Sequence, residues 1–211
     1  MIDFQYCERM SWLFNAQPFN VLSNMLFLAL AAWIWRWPSA RFHRFGLILI
    51  ALASMLWHSV STPWALALDI VAIALWFGLY ACDYWRIQRV DASVLSGVFV
   101  GLLVLSASLG FALKPSLPMM SGAFIPYGLV LLTLCMTKPD MRLVGIASLL
   151  ALLFAIVMRE ADLALCTLNP YGTHFLWHLG AGLSLLAPLI ALERQCDAKN
   201  AGAPDPTYMA R

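Results

Sequence analysis

Apolar residues run along this chain in long stretches that short polar connections separate. A helix that crosses a membrane needs about 20 mostly apolar residues. Stretches of that kind fall at seven places, roughly 19–36, 43–60, 63–82, 94–113, 117–136, 142–158 and 173–192. Because the connections are short, successive helices are expected to run antiparallel and to pack as neighbours. The pattern predicts an all-α fold, a seven-transmembrane helix bundle.

The two ends of the chain lie outside these stretches. Residues 1–18 contain Asp3 and Glu8, whereas the n-region of a cleavable signal peptide is basic. We therefore expect an extracytoplasmic N-terminal segment at 1–18 and a first helix that is retained. The bundle occupies 19–192, and 193–211 is expected to be a flexible cytoplasmic tail.

The composition agrees with a membrane protein. Hydrophobic residues make up 62% of the chain and charged residues 11%, and the mean hydropathy is +0.79. Soluble domains are about 45–50% apolar and about 25% charged, so these values exclude a soluble enzyme. A net charge of +2 with no basic cluster gives no electrostatic basis for binding nucleic acid.

Lysine and arginine predict the orientation of the bundle. If the helices alternate in direction, all 13 of these residues except Arg9, Lys114 and Arg159 fall on the side of the C-terminus. Cytoplasmic loops carry the excess of Lys and Arg. The expected orientation is N-terminus out and C-terminus in.

The cysteines divide between the two sides. Cys7 and Cys166 fall on the outer side, and Cys82, Cys135 and Cys196 fall on the inner side. Disulfides persist in oxidising compartments, so the inner three are expected to stay reduced. The outer two can form a disulfide, or they can be small apolar residues, and position alone leaves both possibilities open.

Three of the four histidines fall near the outer end of the bundle. His58 closes the second helix, and His174 and His178 open the seventh. The last two are four residues apart and therefore share one helix face. His43 lies in a basic inner connection and is expected to be solvated.

Two further polar residues lie at similar depth. Ser54 comes one turn before His58, and Asp69 lies about two turns into the third helix, which starts at the same outer end. An ionisable residue at mid-membrane costs about 2.5–3.5 kcal/mol on insertion scales, so Asp69 suggests a functional site. If the seventh helix packs nearby, all five side chains point into one space.

These residue types together favour a metal-dependent hydrolase. Three imidazoles suit Zn²⁺, and three protein ligands plus water is the pattern of a catalytic zinc site. Zinc lowers the pKa of its water toward about 7. Asp69 can take a proton or orient the water, and Ser54 can donate a hydrogen bond to a developing oxyanion.

Other interpretations of the histidines stay open. A membrane histidine also serves as a hydrogen-bonding group between helices or lies at the headgroup level. A b-type haem can be held by histidines from different helices, but this leaves Ser54 and Asp69 unexplained. A retinal protein is disfavoured because the predicted spans contain no lysine for a Schiff base.

The first helix also carries polar residues. Asn20, Ser23 and Asn24 follow one another at helical spacing, and Asn20 and Asn24 share a face. The favoured interpretation is hydrogen bonding between helices.

The assembled residues resemble the alkaline ceramidase family. That family belongs to the superfamily of seven-span membrane hydrolases that includes the progestin and adiponectin receptors. The resemblance covers about residues 5–182, and its order is Cys7-Glu8, Asn20-x-x-Ser23-Asn24, Ser54-x-x-x-His58, Asp69 and His174-x-x-Trp177-His178. The S-x-x-x-H and H-x-x-W-H elements are its specific parts.

The resemblance implies a zinc-dependent amidase that splits ceramide, drawn from the bilayer, into a fatty acid and a sphingoid base. One zinc ion would be held by His58, His174 and His178. Asp69 would help to activate its water, and Ser54 would stabilise the oxyanion. A disulfide is implied between Cys7 and Cys166. The alternative is a lipid-sensing, receptor-like protein in which the zinc is structural.

The sequence departs from the family at one site. The eukaryotic enzymes bind calcium near the N-terminus, and of the matching positions here only Glu8 is acidic; the others are Gln5, Met10 and Gln17. Calcium favours carboxylates, so Glu8, Asn20 and Asn24 are read as possible calcium ligands or as structural residues, with a calcium site like that of the family disfavoured. Shorter loops suggest a bacterial inner-membrane relative with its site near the periplasm, for which another lipid amide, or an ester, fits the same chemistry.

Overall fold

The computed structural model of the chain describes residues 6–8, 17–37, 40–87 and 91–200, and most of these residues lie in helices. The helices are α1 (Pro18–Ser23), α2 (Met25–Trp33), α3 (Arg41–Val60), α4 (Pro63–Ile87), α5 (Ala92–Ala112), α6 (Ile125–Thr137), α7 (Arg142–Ala161), α8 (His174–Ser184) and α9 (Leu186–Asn200). No β-strand occurs in these ranges. The prediction of an all-α fold is confirmed.

Several of these helices are long and apolar enough to cross a membrane. Within the described ranges there are five such segments: Pro18–Arg36, Arg41–Val60, Pro63–Tyr80, Pro139–Ala161 and His174–Asp197. Two shorter apolar helices, Gly97–Ala112 and Ser121–Thr137, overlap the fourth and fifth predicted stretches. Each of the seven predicted stretches therefore contains apolar helix, and five of them reach full membrane-spanning length.

Two helix boundaries differ from the hydrophobic pattern. The fifth stretch was expected to begin near residue 117, but α6 begins at Ile125 after a short 3-10 helix. Pro126 lies in the first turn of α6, where a proline removes no intrahelical hydrogen bond. At the other end, α9 continues to Asn200, beyond the predicted limit at 192. Of the expected flexible tail, residues 201–211 lie outside the described part of the chain.

Tight connections make consecutive helices neighbours. Helix α3 ends at Val60, Ser61 adopts the left-handed conformation with φ of 49°, and Pro63 starts α4, so α3 and α4 pack antiparallel. Helices α7 and α8 also pack against each other. Their contact is close at Gly180, where a Cβ atom would lie 2.8 Å from the carbonyl oxygen of Ala151.

The first membrane segment occupies the space between the histidine-bearing helices. Helix α1 packs against both α3 and α8, and α2 packs against the same two helices. The sequence left open whether the seventh predicted span packs near the second and third; in the structure the first span packs against both α3 and α8. The polar side chains of α1 therefore lie beside both groups of histidines.

An apolar core fills the interior of the bundle. It includes Ile34, Leu47, Trp76, Leu131 and Leu189, each 1% exposed or less. His43 belongs to this core.

The expectation that His43 is solvated is wrong. Its side chain is 0% exposed and makes edge contacts with the rings of Trp76, at 5.5 Å between centroids, and Tyr80, at 6.2 Å. The neighbouring arginines in the sequence suggested an aqueous connection. In the fold, His43 lies in the first turn of α3 on the face that turns toward α4.

Candidate metal centre

Three buried histidines meet at one end of the bundle, where α3 ends and α8 begins. His58 lies in the last turn of α3, and His174 and His178 lie in the first two turns of α8. One potential ligand atom from each of the three lies within 4.8 Å of the others. The ring centroids are 4.9–5.1 Å apart. The structure thus assembles the set that the sequence singled out.

The group can hold a metal ion. The three rings are 1–3% exposed, and three imidazoles are a donor set that suits zinc among the transition metals. In such a cluster of buried imidazoles, ring nitrogens face one another. A cation bound between these nitrogens would remove the repulsion between their lone pairs.

Hydrogen bonds to Gln17, which immediately precedes α1, and to Ser23 of α1 fix the orientation of two of the three imidazole rings. Gln17 Oε1 lies 2.6 Å from His58 Nδ1 and also accepts from the Asn20 side-chain amide at 3.0 Å. As a carbonyl oxygen it only accepts, so His58 Nδ1 carries the proton and Nε2 keeps its lone pair. Metal-binding histidines are commonly oriented by such a hydrogen bond from the other ring nitrogen.

His178 is oriented in the same way. Its Nδ1 lies 2.7 Å from Ser23 Oγ, and the Ser23 hydroxyl donates to the Asn20 carbonyl at 2.9 Å. The serine oxygen is therefore free to accept from His178 Nδ1–H, which leaves Nε2 of His178 available to a metal ion. The Asn24 amide donates to the same Asn20 carbonyl at 2.8 Å.

The polar residues of α1 thus form a supporting layer around the histidines. Asn20 and Asn24 were read as groups that hydrogen-bond between helices or bind calcium, and both are 0% exposed. Gln17 had entered only as a departure from the calcium pattern, so its contact with His58 was missed. The available signal was its spacing, because Gln17 precedes Asn20 by one helical turn and shares its face.

Ser54 and Asp69 line the same cavity as His174 and His178. Ser54 is 3% exposed and is a hydrogen-bonding neighbour of the Asp69 carboxyl group. Asp69 is half-buried, and its Oδ1 atom is buried without a hydrogen-bond partner in the described part of the chain. The Arg159 guanidinium acts on the same carboxyl group electrostatically. A carboxylate with spare acceptor capacity is suited to accept a proton from a bound molecule.

An apolar cavity of about 420 Å³ extends from this cluster into the bundle. Ser54, Asp69, His174 and His178 line one part of it. Much of the remaining wall is apolar. It is contributed by α4, α5, α6 and the 3-10 helix before α6, and it includes Ile73, Phe77, Leu102, Phe124 and Val130. Pockets for small ligands have this volume and this combination of apolar walls with few polar groups.

A disulfide joins the N-terminal segment to the loop before α8. Cys7 and Cys166 are bonded, with Cα atoms 5.2 Å apart. The pairing that the family resemblance implied is therefore present. Cys135 is buried with a free thiol, and the side chain of Cys82 lies outside the described residues.

Two buried carboxylates cap helices at this end. Glu8 accepts from the backbone N–H groups of Phe19, at 2.6 Å, and Asn20, at 2.9 Å. Burial raises the pKa of Glu8, and these two hydrogen bonds oppose that rise. The negative charge faces the N-terminus of α1, where the helix dipole stabilises it.

Asp162 caps α8 and was missed by sequence reasoning. It is 0% exposed. Its Oδ1 atom accepts from the N–H groups of Thr173, at 2.6 Å, and His174, at 2.9 Å, and its Oδ2 atom accepts from Cys7 N–H at 2.8 Å. No local pattern identifies it, because it precedes the helix that it caps by a full loop.

The assembled site combines three histidines that can hold a metal ion, a carboxyl group, a hydroxyl group and an apolar cavity. That set of groups suits attack of an activated water on a carbonyl carbon next to an apolar chain. No protein-family model and no curated protein matches this sequence.

Proposed function

We propose that this protein is an intramembrane zinc-dependent hydrolase that cleaves the amide bond of a ceramide-like N-acyl lipid into a fatty acid and an amine. The observation that carries the proposal is the position of the three histidines. Two of them, His174 and His178, line the same apolar cavity as Ser54 and Asp69, and His58 completes the group that could hold a metal. The family resemblance of the same residues supports it.

The proposal places the site within a seven-span bundle of the bacterial inner membrane, near the periplasmic side. Apolar helix at each of the seven predicted stretches supports seven spans. The excess of Lys and Arg supports N-terminus out and C-terminus in. A disulfide next to the histidines agrees with an oxidising outer side.

The reaction needs a nucleophile, a proton acceptor and a group that stabilises negative charge. Zinc, when bound by His58, His174 and His178, would activate a water molecule and polarise the substrate carbonyl. Asp69 takes a proton from the attacking water and returns one to the leaving nitrogen. The Ser54 hydroxyl donates a hydrogen bond to the carbonyl oxygen as negative charge develops on it.

The cavity supports a lipid substrate. Its wall beyond the polar cluster is contributed largely by apolar side chains of membrane helices, so an acyl chain that leaves the bilayer keeps an apolar environment there. The substrate enters from the bilayer, and the amide carbonyl stops where the polar side chains begin.

The direct test measures hydrolysis by purified protein. We expect zinc-loaded protein in lipid nanodiscs to release fatty acid from a ceramide, as measured by mass spectrometry. Chelation should stop the release, and added zinc should restore it. N-acyl ethanolamine and an ester of the same acyl chain, offered in parallel, define the head group and the bond that are accepted.

The contrary result identifies the alternative function. A protein that binds zinc tightly, loses thermal stability on chelation and hydrolyses neither amide nor ester contains a structural metal. That outcome would replace the hydrolase with a lipid-sensing, receptor-like protein.

Replacing Ser54 by alanine tests the charge-stabilising role. We expect kcat to fall about 10²–10³-fold, the usual loss for one oxyanion donor, with zinc content unchanged because Ser54 is not a ligand. Ser148→Ala is the matched control, since Ser148 is equally buried but hydrogen-bonds the backbone of Ala187 instead. Equal kcat in the two variants would exclude this role.

A further inference from the structure

The ring of Tyr6 lies directly on the metal-binding histidines. Its centroid is 3.9 Å from that of His174, with 32° between the ring planes, and 5.4 Å from that of His58. Tyr6 is 5% exposed, although it comes from the N-terminal segment and not from a helix of the bundle. It also lines the cavity.

His174 differs from the other two histidines in how its ring is held. His58 and His178 each donate a hydrogen bond from Nδ1, to Gln17 Oε1 and Ser23 Oγ respectively. The Nδ1 atom of His174 is buried and has no hydrogen-bond partner in the ranges that the structure describes. Packing, and not a hydrogen bond, must therefore set the orientation of this ring, and Tyr6 is the ring stacked on it.

Tyr6 is itself held in place through the next residue. Cys7 forms the disulfide with Cys166, and its N–H donates to Asp162 Oδ2 at 2.8 Å. The other oxygen of Asp162 accepts from the backbone N–H of His174 at 2.9 Å. The segment that carries Tyr6 and the helix turn that carries His174 are thus attached to one buried carboxylate.

We propose that Tyr6 is a positioning residue for His174, and that the Cys7–Cys166 disulfide contributes to metal affinity by holding Tyr6 against that ring. The proposal rests on the metal centre of the proposed function and does not depend on hydrolysis. It assigns to aromatic stacking the orienting role that hydrogen bonds perform for His58 and His178.

The expected effect of Tyr6 on metal affinity comes from the conformational entropy of the His174 ring, whose Nδ1 has no hydrogen-bond partner in the described ranges. A histidine free to rotate about its side-chain bonds loses that freedom when it binds metal, and the loss weakens binding. A ring stacked at 3.9 Å restricts this rotation before the metal arrives. Losing an orienting group of this kind typically lowers metal affinity about 10–100-fold.

The test measures Zn²⁺ affinity by chelator competition and records the visible spectrum of Co²⁺-substituted protein. Tyr6→Ala removes the ring, and Tyr6→Phe keeps the stack without the hydroxyl. Tyr171→Ala is the control, because Tyr171 lies at the same end and packs on Phe19 at 4.8 Å. Cys7→Ser/Cys166→Ser removes the disulfide without leaving a free thiol at either position.

We expect Tyr6→Ala to weaken Zn²⁺ binding about 10–100-fold and to change the Co²⁺ spectrum, while Tyr6→Phe and Tyr171→Ala match the wild type. The disulfide variant should weaken binding in the same direction. Adding Tyr6→Ala to the disulfide variant should lower the Zn²⁺ affinity little further, because the effects of coupled groups are not additive.

Three results would overturn the proposal in different ways. Wild-type affinity in Tyr6→Ala removes the positioning role, and this variant retains the disulfide that supports folding. Additive losses in the triple variant show that the disulfide acts independently of Tyr6. A wild-type protein that binds no Zn²⁺ refutes the metal centre and this inference with it, whereas one that binds Zn²⁺ but hydrolyses nothing refutes only the proposed hydrolase.

Discussion

Replacing both His174 and His178 by alanine is expected to abolish zinc binding. Wild-type protein should carry about one zinc ion per chain, measured by mass spectrometry of the metal in detergent-purified protein. The double variant removes two of three imidazoles whose ligand atoms lie within 4.8 Å of one another. One remaining imidazole cannot hold the ion against a chelator, so the metal content should fall nearly to zero.

The control for this experiment is another buried histidine. His43 is 0% exposed, like the site histidines, but lies in the first turn of α3, whereas His58 lies in its last turn. Their separation is about 22 Å along the helix at 1.5 Å per residue. His43→Ala should therefore keep its zinc, and equal loss in both variants would show that the metal responds to general destabilisation.

Zinc binding is also expected to raise the free energy of unfolding. A ligand that binds only the folded state stabilises it by about 2.7 kcal/mol at 100 times its Kd. Added zinc should raise the Tm of the wild type and of His43→Ala, but not of the double variant. Wild-type protein without zinc, and with no response to it, would identify the three histidines as packing groups between helices.

Replacing Asp69 by asparagine is expected to abolish turnover and to leave zinc bound. Asparagine keeps the size of the side chain but cannot accept a proton, and general acid–base groups contribute about 10²–10⁴-fold. The measurement is fatty-acid release from ceramide together with metal content on the same preparation. Asp91→Asn is the control, because Asp91 is exposed beside the N-terminus of α5.

Turnover and metal content, measured together, distinguish three outcomes for the Asp69 variant. Lost turnover with bound zinc supports the proton-transfer role. Retained turnover excludes that role, and loss of zinc together with turnover makes Asp69 a ligand or a structural partner of the site. The free acceptor atom Oδ1 favours the first outcome, since a carboxylate with a structural role normally has its oxygens occupied.

Local patterns were sufficient to locate the helices and most of the site. Long apolar stretches have one stable form in a membrane, because every backbone polar group must be satisfied within the segment. The spacing of His174 and His178 places them on one face for any helix. The alternation of helix direction then placed His58 at the same end, and the structure assembles all three.

Long-range contacts required the tertiary structure. Gln17 supports His58 across 41 positions of sequence, and Asp162 accepts from Cys7 across 155. Neither contact produces a periodic pattern in the sequence, because the helical period relates only residues within a few turns of one helix. Pairing of this kind depends on which helices become neighbours, and a hydrophobic pattern does not specify that order.

His43 is a residue whose surroundings the sequence pattern predicted wrongly. Its neighbours in sequence are arginines, which predicted an aqueous position, but the packing of α3 against α4 buries it on Trp76. The amino-acid sequence by itself determined where helices form, which end of the bundle carries the histidines and which residue types are available for chemistry, because these follow from local hydrophobicity and helix geometry. The tertiary structure alone decided that α1 packs between α3 and α8 and that Tyr6 covers His174, because those contacts arise from the packing of segments distant in sequence.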